Sequence, residues 1–205
     1  MKRPASSGEQ QAQHQFGTGA RADSFRANQM LDYLSQPMQE FIAKQEMVFL
    51  ATADAGGACD CSVRAGTAGF VRVLDEKMLA YPEYRGNGVF ASVGNLLENP
   101  HIGLIFLDFF RSTVGLHVNG TARVYTREHA QTLPHISTRL TDSGDPRDER
   151  RAECWIVIEV EEAYIHCSKH IPLLQRMDKR VTWGTDDESA KGGDFFKVKP
   201  EPHNK

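Results

Sequence analysis

Residues 116–125, LHVNGTARVY, alternate strictly between apolar or small side chains and polar ones. A period of two marks a β-strand, because successive side chains of a strand point to opposite faces of the sheet. Leu116, Val118, Ala122 and Val124 form the apolar row. The stretch therefore predicts a long strand, and it is the clearest element in the sequence.

Apolar runs on both sides of this strand are separated by turn residues. MVFLATA ends at the turn composition DAGG and is followed by the alternating run ACDCSVR, so the two runs predict a β-hairpin. A second pair of strands turns at Asp75 and Glu76, and the runs HIGLIFLDF and ECWIVIEVEEAYIHC predict further strands. The predicted strands span residues 47–53, 58–64, 69–74, 77–81, 101–109 and 153–167.

Apolar residues at helical spacing occur between these strands. Pro37 opens a pattern that predicts a helix over 36–45, and a second pattern predicts a short helix over 89–97. A weaker pattern predicts a helix over 127–140. Strands that follow one another, with helices inserted, favour a closed or partly closed antiparallel β-barrel over a parallel βαβ fold.

Length and composition limit the class of protein. The 205 residues favour one main domain, for which we expect residues 26–183, with a flexible extension at 1–25 and a polar tail at 184–205. A net charge of −3 gives no reason to expect a nucleic-acid or membrane partner. The four cysteines do not make a disulfide framework in a chain of this length, and we find no leader or long apolar span. We therefore expect a cytoplasmic protein.

The stretch YPEYRGNGVFASVGNLLENP, residues 81–100, places Arg85 and two glycines directly before the predicted short helix. The first N–H groups of a helix have no partner within the helix, so beside a guanidinium they can hold an anion such as phosphate. Arg64 ends a predicted strand, and the two guanidiniums can converge on Asn87 and Gly88. An equally good interpretation is that both arginines only solvate strand ends.

Other polar residues are weaker candidates. Ser62 and Ser92 can add hydroxyl donors to the anion pocket. The runs CDC (59–61) and HCSKH (166–170) contain thiols and imidazoles, but a tetrahedral metal site needs four ligands that meet in space, and this spacing does not supply them. We predict no metal site.

The order of motifs from FLATADAGG through CSVRAG, GFVRVLDEKMLAYPEYRGNGVFASVGNLLENP and LHVNGTARV resembles the flavin-binding split barrels of the pyridoxamine 5'-phosphate oxidase type. The resemblance covers roughly residues 45–125. It implies a mainly β fold, an antiparallel split β-barrel with peripheral helices, and a homodimer that binds FMN at its subunit interface.

The resemblance also implies roles for individual residues. Arg64 would hold the FMN phosphate, and the residues around the helix start would assist it. Residues of the partner chain near the last strand would close over the ring system. The implied cofactor-binding residues are Arg64, Ser62, Arg85, Asn87, Gly88, Ser92, Asn95, Trp155, His166 and Lys169.

The sequence departs from the family's oxidases at two points. Those enzymes carry a serine, arginine and lysine run before the short helix, and a late arginine and histidine signature that grips the substrate phosphate. This chain has YRGNG and YIHCSKH in those places. The resemblance therefore supports a flavin site and gives no basis for the namesake reaction.

The sequence thus predicts an FMN-dependent oxidoreductase of unknown substrate, with no catalytic residue identified. Its electron donor would be a small molecule such as a reduced nicotinamide, because the flavin carries the redox chemistry. Two alternatives remain open. One is a non-catalytic protein that stores or senses flavin or haem. The other, which we rank lower, is a metal- or thiol-based redox protein built on CDC and HCSKH.

Overall fold

The computed structural model describes residues 3–133, 152–178, 187, 192–193 and 195–198. Within these residues the strands are β1 Met47–Ala53, β2 Cys59–Ala65, β3 Arg72–Asp75, β4 Met78–Glu83, β5 His101–Leu107, β6 Gly115–Thr126 and β7 Cys154–His166. The helices are α1 Ser7–Phe16, α2 Gly19–Asn28, α3 Gln36–Ile42, α4 Ala91–Glu98 and α5 Arg127–Thr132, with a short 3-10 helix at Ser168–His170.

The strands form one antiparallel sheet in the order β2-β1-β5-β6-β7-β4-β3. Its longest pairing joins β6 to β7, from Gly115 opposite His166 to Thr126 opposite Cys154. Consecutive antiparallel strands with helices at the periphery confirm the predicted fold class. The homodimer stays a prediction.

Most apolar residues of the alternating pattern in β6 lie in the core, as predicted. Leu116, Val118 and Ala122 are buried in the core. The register shifts between Asn119 and Gly120, where a Cβ on Gly120 would lie 2.0 Å from the backbone oxygen of Glu159. Glycine is required at this point because the backbones of β6 and β7 approach too closely for any side chain.

Side chains connect the two ends of the sheet. Arg64 lies on β2 at one edge, and Glu83 ends β4 near the other edge. Arg64 Nε donates to Glu83 Oε2 at 2.9 Å. The sheet therefore curls until its ends meet through an ion pair, and α4 packs beside this contact against β1, β2 and β6.

The core lies inside the curled sheet. Its largest fully buried side chains come from several strands and from α3 and the segment before it. The largest of them are Leu34, Ile42, Leu50, Leu79, Tyr81, Leu104, Phe106, Ile156 and Ile158. Burial of this apolar surface favours the curling, since it removes the inner faces of the core strands from water.

The amino-terminal segment differs from the predicted flexible extension. It forms α1 and α2, and the domain boundary predicted at residue 26 falls inside α2. Ser6 and Glu9 make a reciprocal capping box at the start of α1, and Glu9 forms an ion pair with Arg26 of α2. The capping box S-x-x-E is readable in the sequence, but the polar composition of the segment obscures it.

Contacts of α2 and the segment after it with β7 hold this part of the chain on the sheet. The ring of Phe25 packs edge-on against Tyr164, with 5.8 Å between ring centroids. Leu31 N donates to Ala163 O at 2.9 Å, and Ala163 N donates to Leu31 O at 2.7 Å. The helices are thus part of the fold.

Other predicted boundaries shift. The strand predicted at 69–74 begins at Arg72, because Gly69 has φ +76° and Phe70 N bonds to Thr67 O, which makes a turn. The helix predicted at 127–140 is observed to Thr132, and residues 134–140 lie outside the described residues. Most of the predicted tail at 184–205 also lies outside them. Among the helices that the structure describes, none has the length and apolar content needed to cross a bilayer.

Two glycine substitutions test this fold. Gly120→Ala should lower the free energy of unfolding by about 3 kcal/mol or more, because the added Cβ meets backbone that cannot rotate away. Gly94→Ala, in an exposed position of α4 with no atom within 4 Å of the new Cβ, should raise it by about 0.5–1 kcal/mol. Urea denaturation of both variants measures the difference. Equal stabilities would contradict the β6–β7 register.

Candidate functional site

Arg64 joins three elements of the fold. Besides the bond to Glu83 on β4, its Nη2 donates to Ser92 Oγ on α4 at 3.4 Å, and its Nη1 donates to Val63 O at 3.2 Å. The side chain remains 20% exposed, and the guanidinium has further N–H donors beyond these contacts. Arg64 is therefore held in one place while part of it stays accessible to a ligand.

The partner of Arg64 is more deeply buried. The side chain of Glu83 is 7% exposed. Burial raises the pKa of Glu83 above the ordinary value of 4.5, while the Arg64 charge and hydrogen bond oppose that rise. A buried carboxylate without its guanidinium would be costly, so the pair fixes the position of both groups.

Two further buried groups surround Glu83. Cys154 lies opposite it in the β4–β7 ladder, and burial followed by the Glu83 charge raises the pKa of the thiol to about 11. Tyr81 is fully buried, and its Oη has no hydrogen-bond partner within the described part of the chain. Burial also raises the pKa of Tyr81. Both groups are therefore protonated and uncharged near neutral pH.

A hydrogen-bonded cluster lies on the other side of Arg64. Ser62 Oγ and Ser92 Oγ donate to Asp60 Oδ2 at 2.9 and 2.8 Å. Asn95, one turn further along α4, donates from Nδ2 to Thr52 Oγ1 at 3.0 Å. These bonds anchor the inner face of α4 to β1 and β2.

The loop before α4 is tightly turned. Gly86 has φ +53° and Gly88 has φ +80°, and Phe90, at the N-cap of α4, has φ +53°. Asn87 Oδ1 accepts a bond from Val89 N at 3.0 Å. No side chain caps α4, because Phe90 has no acceptor to offer. The first N–H groups of α4 therefore lack the side-chain acceptor that an N-cap residue supplies.

The structure brings together many of the sequence-predicted residues. Arg64, Ser62 and Ser92 belong to one hydrogen-bonded cluster. Asn95 follows on α4, and Asn87 and Gly88 lie in the loop before it, as does the exposed Arg85. The Arg64–Ser62–Ser92 cluster thus adjoins the start of α4, and the role of each of these residues in cofactor binding stays a prediction.

Two carboxylates at this place were not predicted. Asp60 could have been found from the strand period, since residues 60, 62 and 64 share one face of β2. Glu83 could not, because its contact with Arg64 depends on how the sheet curls. With both acids present, the cluster around Arg64 is less positive than a pocket lined by arginines alone.

Trp155, His166 and Lys169 do not lie together within one protomer. The eleven residue steps from Trp155 to His166 along β7 separate them by roughly 36 Å. Trp155 packs against a small apolar cluster with Ala80 and Val157, whereas Lys169 is exposed in the 3-10 helix after His166. One flavin ring cannot contact both ends of a single β7.

His166 instead pairs with a histidine of β6. His117 Nε2 and His166 Nδ1 are 2.9 Å apart, and the ring of His117 stacks on Tyr164 with 4.7 Å between centroids. Burial, together with the charge of His166, lowers the pKa of His117. Among the residues that the structure describes, no group of three or more His, Cys, Asp or Glu side chains is placed to hold a metal ion.

A cleft of about 580 Å³ opens elsewhere, between α3 and the start of β3. Its lining includes Gln39, Glu40, Gly69 and Arg72. The Nε atom of Arg72 is buried without a hydrogen-bond partner among the described residues. None of the residues predicted for the flavin site lines this cleft.

The curled antiparallel sheet, with an arginine fixed between its edge strand and a short helix, defines a split β-barrel. The chain belongs to the pyridoxamine 5'-phosphate oxidase family, whose family model matches residues 34–167. This confirms the family that the sequence motifs resemble.

Solved structures with a similar fold have low sequence identity to this chain. HupZ from Group A Streptococcus is 22% identical over 63% of this chain and 90% of that chain, with a TM-score of 0.47. HutZ, the haem storage protein from Vibrio cholerae, is 15% identical over 65% and 93%, with a TM-score of 0.44. An FMN-binding protein from Syntrophomonas wolfei subsp. wolfei is 11% identical over 73% and 96%, with a TM-score of 0.46. Among curated proteins, none matches this chain.

The pH dependence of stability tests the burial of Glu83. Because the folded protein holds the Glu83 proton more tightly than the unfolded chain does, Glu83 lowers the free energy of unfolding as the pH rises above 4.5 and through the folded-state pKa. Glu83→Gln removes this titration. The stability of the variant relative to the native protein should therefore increase with pH across that window.

Urea denaturation between about pH 4.5 and 8 measures this difference. Glu159→Gln, an exposed substitution on β7, is the matched control and should follow the native profile. Parallel profiles for the Glu83 variant and the native protein would contradict the burial of this carboxyl.

Proposed function

We propose that this protein binds FMN at the Arg64 cluster and acts as a flavin-dependent oxidoreductase. The observation that carries the proposal is the guanidinium of Arg64, held by Glu83 and Ser92 beside the uncapped start of α4. A positive side chain next to helix N–H groups is suited to a phosphate. Membership of the pyridoxamine 5'-phosphate oxidase family makes a flavin phosphate the natural candidate.

The charges favour one side of the cluster for the phosphate. Asp60 and Glu83 are acidic and belong to β2 and β4, so a dianion beside either carboxylate would meet like charge. The first N–H groups of α4 and the turned loop with Gly86 and Gly88 carry no negative charge. The FMN phosphate would therefore sit against α4, within reach of Arg64.

Bound flavin would supply the electron transfer, and a small donor such as a reduced nicotinamide would reduce it. The chain's own residues would anchor the phosphate and orient the ring. We further propose a homodimer in which Trp155, His166 and Lys169 of one protomer complete the site of the other. Since Trp155 and His166 lie at opposite ends of β7, they would serve different parts of the interface.

A second candidate function is a non-catalytic flavin- or haem-binding protein. One observation favours it: the buried ionisable groups beside Arg64 are paired or uncharged. Glu83 is paired with Arg64, and burial keeps Cys154 protonated. None is poised to move a proton to or from a substrate.

The absorption spectrum of the purified protein, titrated with FMN, tests the binding. Native protein should bind FMN, and Glu83→Gln should bind at least as well, because it keeps the guanidinium and removes a nearby negative charge. The double variant Arg64→Gln/Glu83→Gln should bind more weakly by about 1.5–3 kcal/mol, roughly tenfold to a hundredfold in Kd, the size of a charge-assisted hydrogen bond.

Comparing the double variant with Glu83→Gln avoids a buried carboxylate without its partner. Arg123→Ala, at an exposed position of β6, is the matched control and should bind like the native protein. Equal affinity of the double variant and Glu83→Gln would reject Arg64 as the anchor. If the native protein takes up haem and no flavin, the cofactor assignment itself fails.

Anaerobic mixing of the FMN-loaded protein with reduced nicotinamides separates the two functions. Bleaching of the flavin absorption, and its recovery with oxygen or another acceptor over repeated cycles, is the result expected of an oxidoreductase. A flavin that stays oxidised with every donor favours the non-catalytic alternative.

A further inference from the structure

The serine hydroxyls beside Arg64 already donate their hydrogens to a carboxylate. Ser62 Oγ and Ser92 Oγ both donate to Asp60 Oδ2, at 2.9 and 2.8 Å, whereas the two serine oxygens are 3.4 Å apart. Because a hydroxyl has one hydrogen, a serine bonded in this way offers only lone pairs to another group. In this arrangement neither serine can donate to a phosphate oxygen.

Asp60 itself can accept more. Both serine bonds go to Oδ2, and within the described part of the chain Oδ1 has no hydrogen bond. Asp60 is only partly buried, so Oδ1 is within reach of a ligand. The cluster therefore offers one free carboxylate oxygen and serine lone pairs, which suit a group that donates hydrogens and repel an anion.

The position of Asp60 relative to α4 indicates which part of a ligand would donate this hydrogen bond. Ser92, which bonds to Asp60, is the second residue of α4, so the cluster lies within about one helical turn of the uncapped N–H groups. A ligand whose phosphate sits on those N–H groups would place the adjoining part of its skeleton at Asp60. In FMN that part is the hydroxyl-bearing polyol chain.

We propose that Asp60 is a specificity-determining residue that accepts a hydrogen bond from a hydroxyl of the ligand's polyol chain, while the phosphate at the end of that chain lies against α4. The proposal rests on the proposed flavin function and assigns to Ser62 and Ser92 a positioning role toward Asp60. It replaces the expectation that these serines donate to the phosphate.

Asp60→Asn tests this assignment through the affinity of three flavins, measured by quenching of flavin fluorescence. Riboflavin has the polyol and no phosphate, so its affinity reports the loss of the charged acceptor alone. Its Kd should rise about tenfold. The Kd of FMN should rise by a smaller factor, because removing a negative charge near the phosphate offsets part of the loss. Lumiflavin, which lacks the polyol, should bind native protein and variant alike or fail to bind either.

Other results of these measurements would overturn the proposal. Unchanged riboflavin affinity with tighter FMN binding would place the phosphate at Asp60 and overturn the proposal. Lumiflavin weakened by the same factor as riboflavin would place the ring edge there and overturn it as well. If native protein binds neither FMN nor riboflavin, the flavin function fails and this inference falls with it.

Two further variants guard against indirect effects. Asp23→Asn removes the same charge from an exposed position of α2 and should leave all three affinities unchanged. Asp60→Ser keeps a short uncharged acceptor and should weaken riboflavin in the same direction as Asp60→Asn. Thermal melting of each variant confirms that affinity is compared between folded proteins.

Discussion

The ion pair between Arg64 and Glu83 holds together the two ends of the sheet. β2 and β4 are not neighbours in the hydrogen-bonded sheet, and among the described residues this ion pair bridges the gap between them. Burying two charges is costly unless they meet with good geometry, which makes the pair a strict condition on how the sheet curls. The same contact places the guanidinium beside Ser92 at the start of α4. The candidate site is thus a consequence of how the barrel closes.

Local pattern predicts most of the strands because the alternation of polar and apolar residues lies within each strand. β1, β2, β5, β6 and β7 lie close to where alternation and apolar runs place them. Features that depend on contact with a second segment cannot be predicted from local pattern. The shift at Gly120 follows from the approach of Glu159. The helix α2, polar in sequence, packs on β7 through Phe25, and α1 pairs with α2.

The residues of the candidate site fall into the same two groups, those that local pattern predicts and those that depend on a second segment. Arg64, Ser62 and Ser92 could be predicted because a strand end and a helix start are local features, and they do meet. Asp60 shares their face of β2 but carries the opposite charge from the one an anion pocket suggests. Glu83 becomes a neighbour only through closure of the sheet. Trp155 and His166 fall at opposite ends because β7 is one continuous strand.

Closure by side chains also affects how the barrel can widen. A barrel closed by backbone hydrogen bonds must break part of its ladder to widen, whereas here the seam between β2 and β4 is bridged by one guanidinium and one carboxylate. Widening this seam requires only that these two side chains part, at the cost of separating a largely buried ion pair, while every paired strand stays intact. The barrel wall is therefore held along this line by electrostatic attraction between side chains.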